Sequence, residues 1–265
     1  MAASISYQET IFKSVLYILQ QHPELYSRLE RHVKIGATDI EKKIKRLPTL
    51  FEELVNQSRS QLSQDLFVLG TLNFIRNGFF VEVGATNGIE LSNTCLMEKY
   101  FDWTGLLVEP ARIWHQSISK NRTALIDHRA VWSESRLQLP FSQTKEADLS
   151  TLTELKNIDH HALARSNSTD YLVETVTLGD LFREHSVPSH IDYLSLDTEG
   201  SELNILRSFE FDQFSFGCLT VEHNFTAQRD EIYKLLTAKG YRRVKTELSE
   251  WDDWYVNDKI FPLTS

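Results

Sequence analysis

The sequence predicts an α/β fold: a doubly wound, mostly parallel sheet with an N-terminal helical appendage and a C-terminal antiparallel hairpin. Three observations predict it. Short apolar runs recur between residues 79 and 256, and most lead through a polar or glycine-bearing turn into a stretch of helical periodicity. The clearest unit is FFVEVGATNG at 79–88, an apolar run closed by glycine and followed by helix-compatible residues 89–99. That pattern is a buried parallel strand entering a tight loop and then a helix. The first 76 residues, by contrast, read as helical throughout.

At 265 residues the chain accommodates one such domain and the appendage. We divide it into a helical region, 1–76, and an α/β domain, 77–265. Hydrophobic content of 41% with 25% charged residues is ordinary for a globular protein in water. A formal net charge of −9 argues against an exposed nucleic-acid backbone as a partner. Cys95 and Cys218 fall in a predicted helix and a predicted strand and read as buried thiols, without metal-ligand spacing. No apolar run approaches bilayer-spanning length, and MAASISYQET lacks the basic-then-apolar pattern of a secretory signal. A cytoplasmic protein with no membrane partner is the expectation.

In chain order, Ile11, Val15, Ile18 and Leu19 recur at helical spacing. Pro48 stands where a first-turn proline is tolerated, ahead of Phe51, Leu54 and Val55. A third helix, 61–76, carries Leu62, Leu66, Leu69, Leu72 and Phe74, with Gly78 placed to stop it. The charged stretch 32–46 between them reads as exposed. These amphipathic faces suit an appendage packed on the sheet, the alternative being a lid or a homo-oligomerisation element. Further strands are predicted at 104–108, 124–132 (interrupted by Asp127, His128 and Arg129), 172–176, 191–196 and 217–221, with helices at 178–185, 198–209 and 228–239. Residues 241–244 and 254–256 form the final hairpin. Residues 133–170 break the pattern and read as a polar loop, with Asp148-Leu149-Ser150 leading into a helix. Loops that long are often functional covers; His160 and His161 within it read as solvated.

Ligands in open α/β sheets bind beyond the carboxyl ends of the strands. Gly84 and Gly88 let the backbone approach one closely. A dinucleotide loop would need a glycine where Thr86 stands, and a phosphate loop a Lys-Ser/Thr pair where Ile89-Glu90 stands. Glu82, inside the strand, suits a cation better than a pyrophosphate. S-adenosylmethionine, a phosphate-free sulfonium and ammonium, fits this loop, and a purely structural β–α turn is the competing reading. Glu109 closes the second strand as a two-oxygen acceptor suited to ribose hydroxyls. Two later strands deliver Asp197, and Glu222, His223 and Asn224. Charges at buried strand ends are costly unless bound or paired, so they read as a site.

The blocks FFVEVGATNGIELSNT, DWTGLLVEP, IDYLSLDTEGSELNIL and LTVEHN, in this order, resemble the FkbM family of S-adenosylmethionine-dependent methyltransferases over residues 64–256. The resemblance implies a class I methyltransferase (Rossmann-like) fold and methyl transfer to a hydroxyl of a sugar, glycan or secondary metabolite. It implies a cofactor loop of Glu82, Gly84, Ala85, Thr86, Asn87 and Gly88, with Ser92 and Asn93 near the methionine end. It places Glu109, with Pro110, at the ribose, Ala130 and Val131 beside the adenine, and Asp197 next to the cofactor.

Methyl transfer requires an aligned hydroxyl and a base. Asp197 is the first candidate base and His223 the second, while Glu199 is either a base or a brace ahead of Gly200. Asp197 also reads as a helix N-terminal carboxylate. A magnesium-assisted variant using Asp197, Glu222 and Asn224 is the secondary reading. The competing functions are a non-catalytic methyltransferase-like binding module and a nicotinamide-dependent oxidoreductase. The latter lacks its middle glycine and a Tyr-x-x-x-Lys pair. Trp103, Trp114, Trp132, Trp251 and Trp254 are candidates for stacking on a sugar, against an ordinary core role.

Overall fold

The computed structural model describes residues 53–261, which fall into two compact units. The expectations for residues 1–52, including the helical face at Ile11–Leu19 and the exposed stretch 32–46, lie outside the described residues. No helix among the described residues is long and apolar enough to cross a membrane.

The described part of the first unit comprises residues 53–78 and Asn93–Trp103, with helices α1 (Gln64–Thr71) and α2 (Cys95–Phe101). Helix α1 is shorter than the predicted 61–76. Asn73 and Phe74 turn left-handed, at φ 53° and 52°, and end it well before Gly78. Gly78 serves another purpose: a Cβ there would lie 2.5 Å from the indole of Trp103. Trp103 is buried, and its Nε1–H donates to the Ile75 carbonyl.

The second unit holds a seven-stranded sheet. Its strands are β1 (Phe79–Val83), β2 (Thr104–Val108), β3 (Leu125–Asp127), β8 (His190–Leu196), β9 (Ser215–Glu222), β10 (Tyr241–Val244) and β11 (Asp252–Asn257), in the order β10-β11-β9-β8-β1-β2-β3. The run from β9 to β3 is parallel, and β11 inserts antiparallel between β9 and β10. β1 and β8 are buried on both faces over most of their length, as expected of a parallel sheet covered on both sides. Helices α3 (His115–Asn121), α4 (Leu178–Glu184), α5 (Glu202–Ser208) and α6 (Gln228–Ala238) supply the connections. Val81, Leu106, Leu194, Leu219, Phe182, Leu206 and Leu236 belong to the main core. Cys95 and Cys218 are buried free thiols.

Two expectations need correction. The predicted strand 124–132 is two strands in two sheets. The Asp127 carboxylate accepts from the Arg129 backbone N–H and guanidinium, which turns the chain after β3 and sends β4 (Ala130–Val131) to a second sheet. Residues 133–170 are largely folded rather than a loop. β5 (Gln138–Thr144), β6 (Thr151–Leu152) and β7 (Ser168–Val176) join β4 in the order β4-β7-β5-β6. Apolar residues at period two, Leu139 with Phe141 and Tyr171 with Val173, face a small core with Ala111, Ala130, Leu152 and Leu155. Trp114 and Trp132 pack against that core and Trp254 is buried in β11, so these indoles serve packing.

Candidate active site

The register of the parallel strands brings the predicted site residues to one edge. Val83 pairs with Val108 on one side and Leu196 on the other, and Leu196 pairs with Val221. The chain leaving β1 is pinned by backbone bonds from the Gly84 and Ala85 N–H groups to the Val108 carbonyl. The Asp197 N–H donates to Val83. Glu109, Asp197 and Glu222 therefore stand beyond neighbouring strand ends, around the glycine loop.

The glycines answer first to the protein itself. Gly84 has φ +87°, and a Cβ there would meet the Asp197 carbonyl oxygen at 1.9 Å; Gly88 has φ +79° and abuts the Arg122 side chain. Arg122, which nothing in the sequence singles out, is buried beneath the loop. Its Nη1 donates to the Gly88 carbonyl at 2.9 Å and to Ser92 Oγ at 3.1 Å, and lies 3.6 Å from Glu82. Glu82 also accepts from Ser92 Oγ at 2.9 Å. Glu82 and Ser92 are thus braces under the loop. The Asn87 amide oxygen accepts from the N–H groups of Ile89 and Glu90, which closes the turn. Helix α2 starts at Cys95 rather than at 89, and Asn93 belongs to the first unit.

Glu109 is buried, with one carboxylate oxygen accepting from the Thr86 N–H and the other from the Ala111 N–H, both at 2.7 Å. Burial pushes its pKa up to about 8 despite those two donors. His115 and His128 stack at 3.7 Å, and a ring nitrogen of each meets the Glu109 carbonyl. Pro110 follows, half-buried. Ala130 and Val131 are buried in β4, paired with Thr175 and Val176 of the second sheet.

Asp197, Glu199 and Glu222 place carboxylate oxygens within 4.8 Å of one another. Asp197 is half-buried and close enough to Glu222 to share a proton. Burial, with the carboxylates of Glu202, Glu82 and Asp148, pushes Asp197 up to about 7. Burial and the charges of Asp197 and Glu199 push Glu222 well up, and its Oε2 has no hydrogen-bond partner among the described residues. The helix-head role considered for Asp197 is taken by Glu202, which starts α5 and accepts from the Thr198 and Gly200 N–H groups. Glu199 is held by Arg165 at 2.5 Å and by the Asn224 amide at 3.2 Å.

His223 does not fit the role of base. Its Nδ1 accepts from the Phe225 N–H at 3.0 Å, so the lone pair is already used. Burial lowers its pKa to about 4, against the pull of Asp253.

The donor set suits a phosphate-free cation bearing a ribose. The loop's arginine is committed beneath it, and the rim carries carboxyl groups. Among solved structures the chain is similar to a precorrin-6y C5,15-methyltransferase from Geobacter metallireducens, at 8% identity and a TM-score of 0.35 over 68% of this chain and 71% of that one. It is similar to an S-adenosylmethionine-dependent methyltransferase from Aquifex aeolicus, at 10% and 0.36 over 77% and 95%. It is similar to the CurJ carbon methyltransferase, at 9% and 0.36 over 92% and 69%. No curated protein sequence matches it. The model of the methyltransferase FkbM domain matches residues 82–243, more than half of the chain and the strand ends at Val83, Val108, Leu196 and Val221, and the protein therefore belongs to the FkbM family of S-adenosylmethionine-dependent methyltransferases.

Proposed function

We propose that the protein methylates a hydroxyl oxygen of a sugar, glycan or secondary metabolite, with Asp197 as the general base. The supporting observation is Asp197 itself. It is a half-buried carboxyl beside the cofactor loop, pushed to about 7, near the pH at which it would work. S-adenosylmethionine, when bound, supplies the methyl group, and Glu109 would hold its ribose. As the acceptor oxygen gains the methyl, its proton passes to Asp197, and Glu222 shares it. His223 is occupied by Phe225, and Glu199 by Arg165 and Asn224, which leaves Asp197 of these three candidates for the base.

The test is a panel of glycans and hydroxylated metabolites with methyl-labelled donor, run on the wild type and Asp197→Asn, with donor binding followed by calorimetry. Asp197→Asn should bind the donor like the wild type and lose turnover by roughly 10²–10⁴-fold. An unimpaired rate would exclude Asp197 as base, and absence of donor binding to the wild type would overturn the whole reading.

A further inference from the structure

We propose that Phe225 is a specificity-determining residue of the methyl-transfer site, its exposed ring taking an apolar ring face of the acceptor. The inference rests on the reading above and narrows it, to an acceptor whose reacting hydroxyl stands beside an apolar ring.

Phe225 lies three residues beyond the end of β9 and is 62% exposed. One exposed phenylalanine is ordinary by itself. The turn that presents it is not. The His223 and Asn224 N–H groups both donate to the Trp251 carbonyl, at 2.9 and 3.2 Å, and the Thr226 N–H donates to the His223 carbonyl at 2.8 Å. The Phe225 N–H donates to His223 Nδ1 at 3.0 Å. Asn224 and Phe225 are both left-handed, at φ 43° and 57°. Asparagine tolerates that backbone, whereas phenylalanine keeps it only where the surroundings impose it. Within the chain the ring gains an edge contact with the His223 imidazole, 5.5 Å between centroids, and little else. His223 therefore serves the ring rather than the proton: its Nδ1 fixes a strained turn that holds a phenyl group in water.

The turn is tied to the loop that carries the proposed base. The Asn224 amide donates to Glu199 at 3.2 Å, and Gln228 Nε2 donates to the Gly200 carbonyl at 3.3 Å. Ile158, 38% exposed, abuts the same loop, since a Cβ on Gly200 would lie 2.9 Å from its Cγ2. Two exposed apolar side chains thus reach the Asp197–Gly200 loop, one from each flanking segment.

The polar neighbours decide the kind of ligand. Glu199 is engaged by Arg165 and Asn224, and Glu202 by the Thr198 and Gly200 N–H groups. Of this group, Asp197 and Glu222 keep capacity for a ligand. A sugar would bring several hydroxyls to a rim with few groups left to meet them, and each unmet hydroxyl loses its water at a cost. An acceptor with one reacting hydroxyl on an apolar ring needs only the carboxyl pair and the aromatic face.

The test reads Phe225 directly. Protein labelled with 4-fluorophenylalanine and saturated with S-adenosylmethionine is titrated by fluorine NMR, the Phe225 signal being assigned by its loss in Phe225→Leu. The probes are cyclohexanol and myo-inositol, six-membered carbocycles that differ in hydroxyl number. Cyclohexanol should shift the Phe225 signal saturably, and myo-inositol at equal concentration should not. No shift with cyclohexanol, or a stronger response to myo-inositol, would overturn the proposal. On the acceptor panel, Phe225→Ala should raise KM roughly tenfold or more with a smaller change in kcat, the loss of one buried aromatic contact. Phe225→Tyr, which keeps the ring, should keep KM. Donor affinity and melting temperature should not move in Phe225→Ala, because the ring is exposed; an unchanged KM in that variant would equally overturn the proposal. Failure of the methyltransferase reading shows instead as a wild type that does not bind the donor, so the two failures are separable.

Discussion

The backbone of Asp197 occupies the space that a side chain on Gly84 would need, 1.9 Å separating the would-be Cβ from the Asp197 carbonyl oxygen. The cofactor loop and the proposed base are therefore one rigid construction, joined also by the Asp197 N–H bond to Val83.

Gly84→Ala should damage both functions together. The left-handed backbone at φ +87° alone costs an alanine about 1–2 kcal/mol, and the collision is with backbone, which has no rotamer of escape. We expect a lower melting temperature and loss of donor binding by calorimetry. A variant that melts and binds like the wild type would show that the loop and the Asp197 strand end move independently.

Stability should fall as pH rises from about 4 to about 8. Glu109 and Asp197 are both pushed up in the folded state, to about 8 and about 7, whereas the unfolded chain ionises them near 4. The folded protein binds more protons across that window, so stability is fullest below it and is lost as pH climbs through it. Glu109→Gln should flatten this slope and weaken donor binding. Denaturant melts at pH 5 and pH 8 check the first point and calorimetry the second; an unchanged slope in the variant would place the coupling elsewhere.

The parallel core was legible because buried strands are apolar on both faces. Residues 104–108 coincide with β2, and 191–196 lies within β8. The carboxyl-end acids were legible because a charge after such a run has little reason to be there unless it is paired or bound. Of the second sheet only 172–176, the end of β7, was legible; β5 and the start of β7 run through a polar stretch with few buried residues, and Pro140 lies in β5. Arg122 and Arg165 were invisible for a deeper reason. A lone arginine carries no local signature, and only tertiary packing reveals that each is buried against a specific carboxylate.

Arg122 should prove structural. Arg122→Met leaves Glu82 buried without its cation and releases the Gly88 carbonyl, at a cost of roughly 3–5 kcal/mol. Arg122→Met with Glu82→Gln should recover much of that loss, because an uncharged pair need not be desolvated as ions. Denaturation midpoints of the two single variants and the double decide it. A loss in the double variant equal to the sum of the two single losses would mean that the ion pair does not couple these residues.

His223 should leave the pH dependence of turnover in place. Neutral down to about 4, with Nδ1 bonded to the Phe225 N–H, it has no protonation step near neutrality. His223→Gln should keep an acid limb near 7, the range of Asp197, even where packing changes lower the rate. Disappearance of that limb in the variant would return the base role to His223.

Removing divalent cations should leave turnover intact. Asp197, Glu199 and Glu222 have ligand spacing, and Glu222 Oε2 is unpartnered, which favours a cation at first sight. The donor set argues the other way. Magnesium can be held by one or two carboxylates with its own waters, but Glu199 is already committed to Arg165 and to the Asn224 amide nitrogen, which removes the third carboxylate of the cluster. A cation there would also sit against the Arg165 guanidinium. A proton held between Asp197 and Glu222, both pushed up by burial, would relieve the same repulsion without a metal. Turnover after exhaustive chelation should equal that of untreated protein. A loss restored by magnesium would assign the cluster to metal binding and would require Arg165 to release Glu199 when the ion enters.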